Sequence, residues 1–302
     1  MKIKFFLSIL LFSNLGFSSY KLETVLDNLD DAWSFVFLSE DTILYTEMPG
    51  KLKIASLSDK SVSEIDNVPE VYFRGQGGLL DLELHPDFQE NKFIYISYAS
   101  GSKDLGGGNT AVSRAKLINN KLVDIELLYK GEENSTKGQH FGTRLQFDKN
   151  GKLFFAIGDR GNRDKLPQDI SLDGGKIYRI NDDGSIPNDN PFINEENAKK
   201  AIFSYGHRNP QGIFLHPKTG EIWTNEHGPK GGDEINIISK GKNYGWPKIT
   251  YGINYSGTTI TDEKEHPKME QPLYYWIPSI APSGFAYVSS NNCLLYTSDA
   301  AD

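Results

Sequence analysis

The chain has 302 residues with a formal net charge of −8, which argues against a nucleic-acid-binding protein because such proteins normally present a basic face. Its 29 glycines, 14 prolines and 12% aromatic residues favour an all-β protein with many turns over a helical one. No stretch has a sustained 3.6-residue apolar period, so the sequence predicts no long amphipathic helix.

The N-terminal residues 1–19 have the pattern of a secretory signal peptide. Lys2 and Lys4 precede an apolar run over residues 5–12, and small residues follow at Gly16, Ser18 and Ser19. A membrane anchor is the alternative, but the run is too short to span a bilayer, and no other segment is long enough. We therefore expect a periplasmic or secreted protein with no stable membrane span after cleavage.

A short pattern returns five times along the chain, in which an apolar residue leads into a polar turn and a strand follows. The strands predicted in this way cover residues 42–46, 93–98, 153–157 and 221–225, and a fifth copy begins at Tyr287. A spacing of about 50 to 70 residues is typical of β-propeller blades with long loops. A β-sandwich is the alternative. We expect unequal loops, such as 99–110 and 158–172, to gather at the mouth of a central channel.

The C-terminal residues 293–302 interrupt the fifth copy. They resemble the translated read-through of a sequencing-library adapter and contain the single cysteine, Cys293, so no internal disulfide is possible. A natural polar C-terminus is the alternative. The expected organisation is a signal peptide over 1–19, an incomplete β-propeller domain over 20–292 and a non-native tail over 293–302.

Residues 205–246 hold the densest set of groups capable of chemistry. Glycines and prolines surround them, so we expect most of these groups on turns, with strands only over 212–215 and 221–225. Loops between short strands are a common place for an enzyme's site. The groups are His207, Arg208, Asn209, Glu226, His227, Asp233, Glu234 and Tyr244.

Several motifs follow one another in a fixed order. They are Gly75-Gln-Gly-Gly-Leu-Leu-Asp81, His85-Pro-Asp-Phe88, His140-Phe-Gly142, Tyr205-Gly-His-Arg-Asn-Pro-Gln-Gly212, Glu226-His-Gly-Pro-Lys-Gly-Gly-Asp-Glu-Ile-Asn236 and Asn243-Tyr-Gly-Trp-Pro247. Over residues 22–288 the chain resembles the soluble quinoprotein glucose/sorbosone dehydrogenase family, especially its bacterial aldose sugar dehydrogenase branch. The resemblance implies a six-bladed β-propeller that holds pyrroloquinoline quinone (PQQ) and calcium, of which this sequence contains about four blades and the start of a fifth.

The resemblance also implies roles for single residues around the cofactor. His140 is expected to be the general base, a task that suits a side chain whose pKa is near neutral. Arg208 is expected to bond the quinone oxygens and to stabilise negative charge there. Gln76, Asn209 and Tyr255 match positions beside PQQ. Without the resemblance, a lone histidine is more often structural or exposed than catalytic, and Arg208 is better read as a solvated arginine on a turn. An ordinary turn glutamine is the alternative for Gln76, and simple packing is the alternative for Tyr255.

Two calcium sites are implied in the same way. The backbone carbonyls of Gly228 and Pro229 match those that bind the calcium touching PQQ, and carbonyl oxygens are suitable calcium ligands. The Glu234 carboxylate and the backbone oxygen of Tyr244 match a second site. Asp233 either joins this site or caps a turn, and a solvated acidic pair is the alternative.

The implied reaction is oxidation of the anomeric hydroxyl of an aldose to a lactone, with electrons passed to an external acceptor. A calcium-dependent propeller lactonase is one alternative, and it would use acidic side chains in the channel and no quinone. A non-catalytic binding propeller is the other, and it would not need His140, Arg208 and Gln76 together. The sequence leaves the sugar, the natural acceptor and the oligomeric state open.

Overall fold

The computed structural model describes residues 24–287, so the predicted signal peptide, the tail and all of the fifth repeat except Tyr287 lie outside the described residues. Within this range, no helix is long and apolar enough to cross a membrane. The elements are β1 Ala32–Phe37, β2 Thr42–Glu47, β3 Lys51–Ser56, β4 Val62–Glu64, β5 Leu79–Leu84, α1 Phe88–Asn91, β6 Phe93–Ser102, β7 Gly107–Ile118, β8 Lys121–Lys130, β9 Leu145–Phe147, β10 Lys152–Ile157, β11 Lys176–Asn181, β12 Ile202–Tyr205, β13 Pro210–Leu215, β14 Ile222–Glu226, β15 Asp233–Ile238 and β16 Tyr274–Trp276.

The strands form four antiparallel sheets, each built from four consecutive strands: β1 to β4, β5 to β8, β9 to β12 and β13 to β16. The first strands of successive sheets pack side by side, β1 on β5, β5 on β9 and β9 on β13. Such meandering sheets arranged around a common axis are the blades of a β-propeller. The all-β propeller prediction is therefore confirmed, and the β-sandwich alternative is wrong.

The repeated sequence pattern marks the turn between the first and second strand of each blade. Its apolar residues, Phe37, Leu84, Phe147 and Leu215, end β1, β5, β9 and β13, and the predicted strands are β2, β6, β10 and β14. These second strands read as apolar runs because neighbouring blades cover both of their faces. In β10, for example, every residue after Lys152 is buried.

The core lies between the blades. Leu44, Leu52 and Ile94 belong to a cluster shared by the first two blades. Tyr95 and Phe147 meet edge to face, with ring centroids 4.9 Å apart, in the cluster between the second and third blades. This packing of sheet on sheet holds the first strands in a fixed order around the axis.

One predicted loop is wrong and another is confirmed. Residues 99–110 were expected to form a loop, but β6 and β7 pair through them and leave only 103–106 as the turn. Glycine permits this close pairing, since a Cβ at Gly101 would lie 2.1 Å from the carbonyl oxygen of Gly107. Residues 158–172 do form a long loop, between β10 and β11.

Candidate active site

Four of the five residues predicted to bind the cofactor lie on the segments that enter the first strands of blades two, three and four, and the fifth, Tyr255, lies on the loop between β15 and β16. Gln76 precedes β5, His140 precedes β9, and Arg208 and Asn209 immediately precede β13. Because β5, β9 and β13 pack side by side, the segments entering them meet at one mouth of the propeller. Residues that are far apart in sequence are thereby brought into one site.

His140 is held through both its side chain and its backbone. Its Nδ1 lies 2.6 Å from Oδ1 of Asp159, and its backbone N–H donates to Oε1 of Gln76 over 2.8 Å. A carboxylate only accepts hydrogen bonds, so Nδ1 carries the proton and Nε2 is left as the basic nitrogen. The backbone of His140 is left-handed (φ +55°), a conformation that non-glycine residues rarely adopt outside functional sites.

The electrostatics around His140 favour a neutral imidazole. Burial lowers the pKa of His140, the bond to Asp159 opposes this effect, and the positive charge of Arg208 lowers the pKa further. Burial raises the pKa of Asp159, but the hydrogen bond from His140, the charge of Arg208 and the hydrogen bond from Trp246 bring it below its ordinary value. A neutral imidazole beside an ionised carboxylate is the arrangement that a general base requires.

Asp159 is a site residue that the sequence analysis missed. Besides His140, its carboxylate accepts hydrogen bonds from Nε1 of Trp246 and the backbone N–H of Gly161, both over 2.8 Å. The available signal was an acidic residue in Gly158-Asp-Arg-Gly161, directly after β10. Nothing in that local sequence indicates which histidine the carboxylate would meet.

Arg208 is held by neighbouring residues and lines the same cleft as His140. Its Nη1 donates to the carbonyl oxygen of His227 over 2.9 Å, and its guanidinium lies 5.6 Å from the Trp246 ring centroid. Its backbone N–H donates to Oε2 of Glu226 over 2.6 Å. Glu226 also forms a hydrogen bond with the fully buried His207. Glu226 and His207 therefore support Arg208 and are not reacting groups.

Asn209 presents a buried donor with no protein partner. Its Oδ1 accepts the backbone N–H of Gly142 over 3.1 Å, whereas its Nδ2 has no hydrogen-bond partner among the described residues. Gly158 makes room for this arrangement, because a Cβ there would lie 2.6 Å from Oδ1 of Asn209 and 2.5 Å from the carbonyl oxygen of His140. A buried amide left unpaired in this way is suited to a ligand oxygen.

Two clefts open around these residues. The histidine cleft has a volume of about 400 Å³ and is lined in part by His140, Asp159, Arg208, Pro229, Trp246 and Tyr255. Tyr255 is 70% exposed and lies at its rim. A second cleft of about 290 Å³, the tryptophan cleft, is lined in part by Trp33, Phe73, Gln76, Gln211 and His227. Mixed polar and aromatic walls of this size suit small-molecule ligands.

A small void beside Arg208 is lined by three of the four predicted metal-binding residues, while Pro229 lines the histidine cleft. The void has a volume of about 10 Å³, enough for a single water-sized particle, and Glu226, Gly228, Glu234 and Tyr244 are among its lining residues. Burial and the nearby charge of Glu226 raise the pKa of Glu234 to about 8. The carboxyl groups of the buried Glu226 and the half-buried Glu234 lie opposite each other on paired strands, and two acids this close favour a bound cation.

The remaining donors near the void are backbone oxygens. Among residues 24–287, no group donates a hydrogen bond to the carbonyl oxygens of Gly228, Pro229 or Tyr244. The Tyr244 hydroxyl is already used, since it donates to the carbonyl oxygen of Ile237 over 2.6 Å. In the same range there is no cluster of three or more His, Cys, Asp or Glu side chains that could hold a metal. A cation here would therefore take mostly carbonyl ligands.

Three of the candidates lie on strands instead of turns, contrary to expectation, and one of them, Glu226, is the last residue of β14. Asp233 and Glu234 begin β15, where they pair with β16. The Asp233 carboxylate accepts hydrogen bonds from the backbone N–H of Gly228 and from residues 279–281, all within 2.9 Å. Asp233 therefore caps two loop segments, as one of the two sequence interpretations predicted, and its oxygens are occupied by protein donors.

The comparison with known proteins shows the family of the chain. Residues 29–300 match the family model described as Glucose / Sorbosone dehydrogenase. The chain is 42% identical over 279 residues to the aldose sugar dehydrogenase YliI of Escherichia coli (strain K12), covering 91% of this chain and 75% of that protein. The match reaches into residues 293–300, and the non-native origin of that tail stays a prediction.

Two solved structures are similar to the described fold. The soluble aldose sugar dehydrogenase from Escherichia coli in the apo-form has a TM-score of 0.85 at 42% identity, covering 89% of this chain and 79% of that one. The PQQ-bound form of aldose sugar dehydrogenase from Streptomyces coelicolor has a TM-score of 0.73 at 27% identity, with coverages of 88% and 74%.

Proposed function

Because the chain belongs to the glucose/sorbosone dehydrogenase family of oxidoreductases, we propose that it oxidises the anomeric hydroxyl of aldose sugars to lactones with PQQ as cofactor. An external acceptor takes up the electrons. The observation that carries the proposal is the His140–Asp159 pair, which faces a cleft beside a fixed guanidinium and an unpaired buried amide. This combination supplies a base, a cation and a ligand donor at one place.

His140 and Asp159 divide the proton chemistry between them. Nε2 of His140 accepts the proton of the anomeric hydroxyl, since Nδ1 is already bonded to Asp159. Asp159 keeps the ring in this tautomer and stabilises the imidazolium that forms. Arg208 places a fixed positive charge on the same cleft, where it stabilises negative charge that develops during oxidation.

The residues present fit PQQ, which is a planar quinone with three carboxylates. The unpaired Nδ2 of Asn209 and the guanidinium of Arg208 would hold its oxygens. Gln76 would contact it from the tryptophan cleft with its amide N–H groups, because its Oε1 is bonded to His140. Tyr255 would cover it from the rim of the histidine cleft. When bound, PQQ supplies the two-electron acceptor at its quinone.

Calcium also fits the donor set. The free carbonyls of Gly228 and Pro229 would bind the calcium that touches PQQ, and Glu234 with the backbone oxygen of Tyr244 would bind a second ion. A cation near the void would offset the negative charges of Glu226 and Glu234. A lactonase that holds calcium with several acidic side chains has no such cluster available within residues 24–287.

The proposal is tested with the full chain by adding PQQ and calcium chloride and recording the quinone absorbance. We expect a spectrum of bound PQQ that changes to the reduced form when an aldose is added, with dye reduction that depends on sugar. Binding of calcium with lactone hydrolysis and no quinone spectrum would instead support the lactonase. We also propose a periplasmic or secreted location, which cell fractionation would test.

Calcium is expected to raise the melting temperature of the parent protein more than that of Glu234→Gln, because a ligand that binds only the folded state stabilises it by mass action. Differential scanning fluorimetry across a calcium titration measures the effect. Asp164→Asn is the matched control, since it removes one acidic charge from a side chain that is 88% exposed. An equal calcium-induced rise in the parent and in Glu234→Gln would show that Glu234 is no ligand.

The acid limb of kcat/KM is expected to have its midpoint below pH 6.5, the ordinary pKa of histidine, because burial and the charge of Arg208 lower the pKa of His140. Below that midpoint the imidazole is protonated and cannot accept the hydroxyl proton. Steady-state rates between pH 4.5 and about 8 on the holoenzyme measure the profile. A midpoint above the ordinary value would contradict a base in this environment.

A further inference from the structure

Arg160 is a buried cation beside the site with no part in the chemistry described above. Only 2% of its surface is exposed. Its Nη2 donates to the carbonyl oxygens of Gly108 and Lys137, each over 3.1 Å, and its Nη1 donates to the carbonyl oxygen of Gln139. Its guanidinium carbon lies 3.4 Å from the centroid of the Phe141 ring.

Most of these contacts are with residues that flank His140 in the sequence. Lys137 and Gln139 precede it and Phe141 follows it, so one guanidinium contacts the segment on both sides of the proposed base. His140 has a left-handed backbone with φ +55°. Such a backbone is strained in a non-glycine residue and persists only where its surroundings enforce it. The carbonyls collected by Arg160 are part of those surroundings.

The charge of Arg160 is not compensated by a direct ion pair. Among residues 24–287, no carboxylate oxygen lies within 4.0 Å of its guanidinium, and its Nε has no hydrogen-bond partner. Burial lowers the pKa of Arg160 to about 10. An apolar side chain would fill the same space without desolvating a charge, but it could not bind three carbonyl groups. Arginine is therefore required here to hold the backbone conformation of residues 137–141 and not to form an ion pair.

We propose that Arg160 is a positioning residue for sugar oxidation, which fixes the backbone of residues 137–141 so that the His140 ring meets Asp159 and the histidine cleft together. The adjacent residues Asp159 and Arg160 thus act on one base, the first through its ring and the second through its backbone. The inference rests on the proposed function, since the position of His140 matters only if His140 is the base.

The test compares Arg160→Met and Arg160→Lys in the full chain loaded with PQQ and calcium. A displacement of about 1 Å costs up to about 100-fold in rate, so we expect kcat of Arg160→Met to fall by about 10- to 100-fold. KM and PQQ affinity, read from the quinone absorbance, should change less than threefold, as roughly expected when only the reacting geometry is disturbed. Arg160→Lys should recover part of kcat, because an ammonium can still bind some of the carbonyls.

Arg179→Met is the matched control. Arg179 is also buried, at 7% exposure, and lies near the rings of Phe154 and Phe203, but it bonds Asp189 and Asn190 away from the site. Its loss should lower the melting temperature without lowering kcat of the folded protein. A kcat of Arg160→Met within about twofold of the parent value would show that the inference is wrong. A fall in kcat that only matches the fall in the fraction of protein with bound PQQ, as in a purely structural variant, would show the same.

A second readout does not depend on activity. Hydrogen exchange of the backbone amides of residues 137–141, followed by NMR in the protein without PQQ, should be faster in Arg160→Lys than in the parent, because a segment that has lost part of its hydrogen bonding opens more often. Arg179→Met should leave these exchange rates unchanged. Unchanged exchange rates in Arg160→Lys would overturn the inference. Absence of sugar oxidation in the parent would overturn the proposed function instead.

Discussion

Replacing His140 by alanine is expected to lower kcat/KM by about 10²- to 10⁴-fold while PQQ stays bound, since this is the range that a general base contributes. Nε2 of His140 is the free basic nitrogen in the histidine cleft, and Asp159 cannot take its place. The Asp159 carboxylate is fixed by Trp246 and Gly161, and its pKa is lower than its ordinary value. Sugar-dependent dye reduction, with PQQ binding followed by absorbance, measures both quantities.

His266→Ala is the control for the loss of a histidine. His266 lies on the loop between β15 and β16, where its Nδ1 accepts the backbone N–H of Lys268 over 3.2 Å. Its replacement should leave the rate within about twofold, as is usual for positions away from reacting groups. Turnover of His140→Ala close to that of the parent would remove His140 from the catalytic role and leave the proposed mechanism without a base.

Asp81→Ala is expected to destabilise the fold by about 3 to 5 kcal/mol, the range for removing one partner of a buried ion pair. Asp81 is 3% exposed and joins three blades. Its carboxylate accepts Oγ–H of Ser34 from the first blade over 2.5 Å. From the residues entering and beginning the third blade, it accepts Nη1 of Arg144 over 2.9 Å and the backbone N–H of Leu145 over 2.7 Å. Urea unfolding followed by tryptophan fluorescence measures the change.

Two further variants separate the causes of that loss. Asp81→Asn keeps an acceptor for some of these donors but removes the charge, so its stability should lie between those of Asp81→Ala and the parent. Asp87→Ala removes an acid that is 72% exposed and should change the free energy of unfolding by less than about 0.5 kcal/mol. Equal stability of Asp81→Ala and Asp87→Ala would show that the joint between the blades contributes little.

The site residues were predictable only in part, and the reason differs from residue to residue. His140, Arg208 and Asn209 stand in motifs that mark a family, so the resemblance found them; His140 and Arg208 line one cleft, and Asn209 bonds the backbone of Gly142 beside it. Asp159 and Arg160 stand in Gly158-Asp-Arg-Gly161, which reads as an ordinary turn. Their importance comes from what they meet, since Asp159 bonds Trp246 across 87 positions of sequence.

The sequence by itself predicted the propeller, because each blade repeats an apolar residue, a polar turn and a buried strand, and these local signals left a β-sandwich as the alternative until the sheets were seen. It also located the candidate base and the cation. Only the tertiary structure decided which groups face each other: that Asp159 holds the ring of His140, that Nδ2 of Asn209 is left unpaired, and that Asp233 caps a loop. These contacts join residues that are 19, 67 and 47 positions apart in the chain, and no local pattern encodes which distant segments meet.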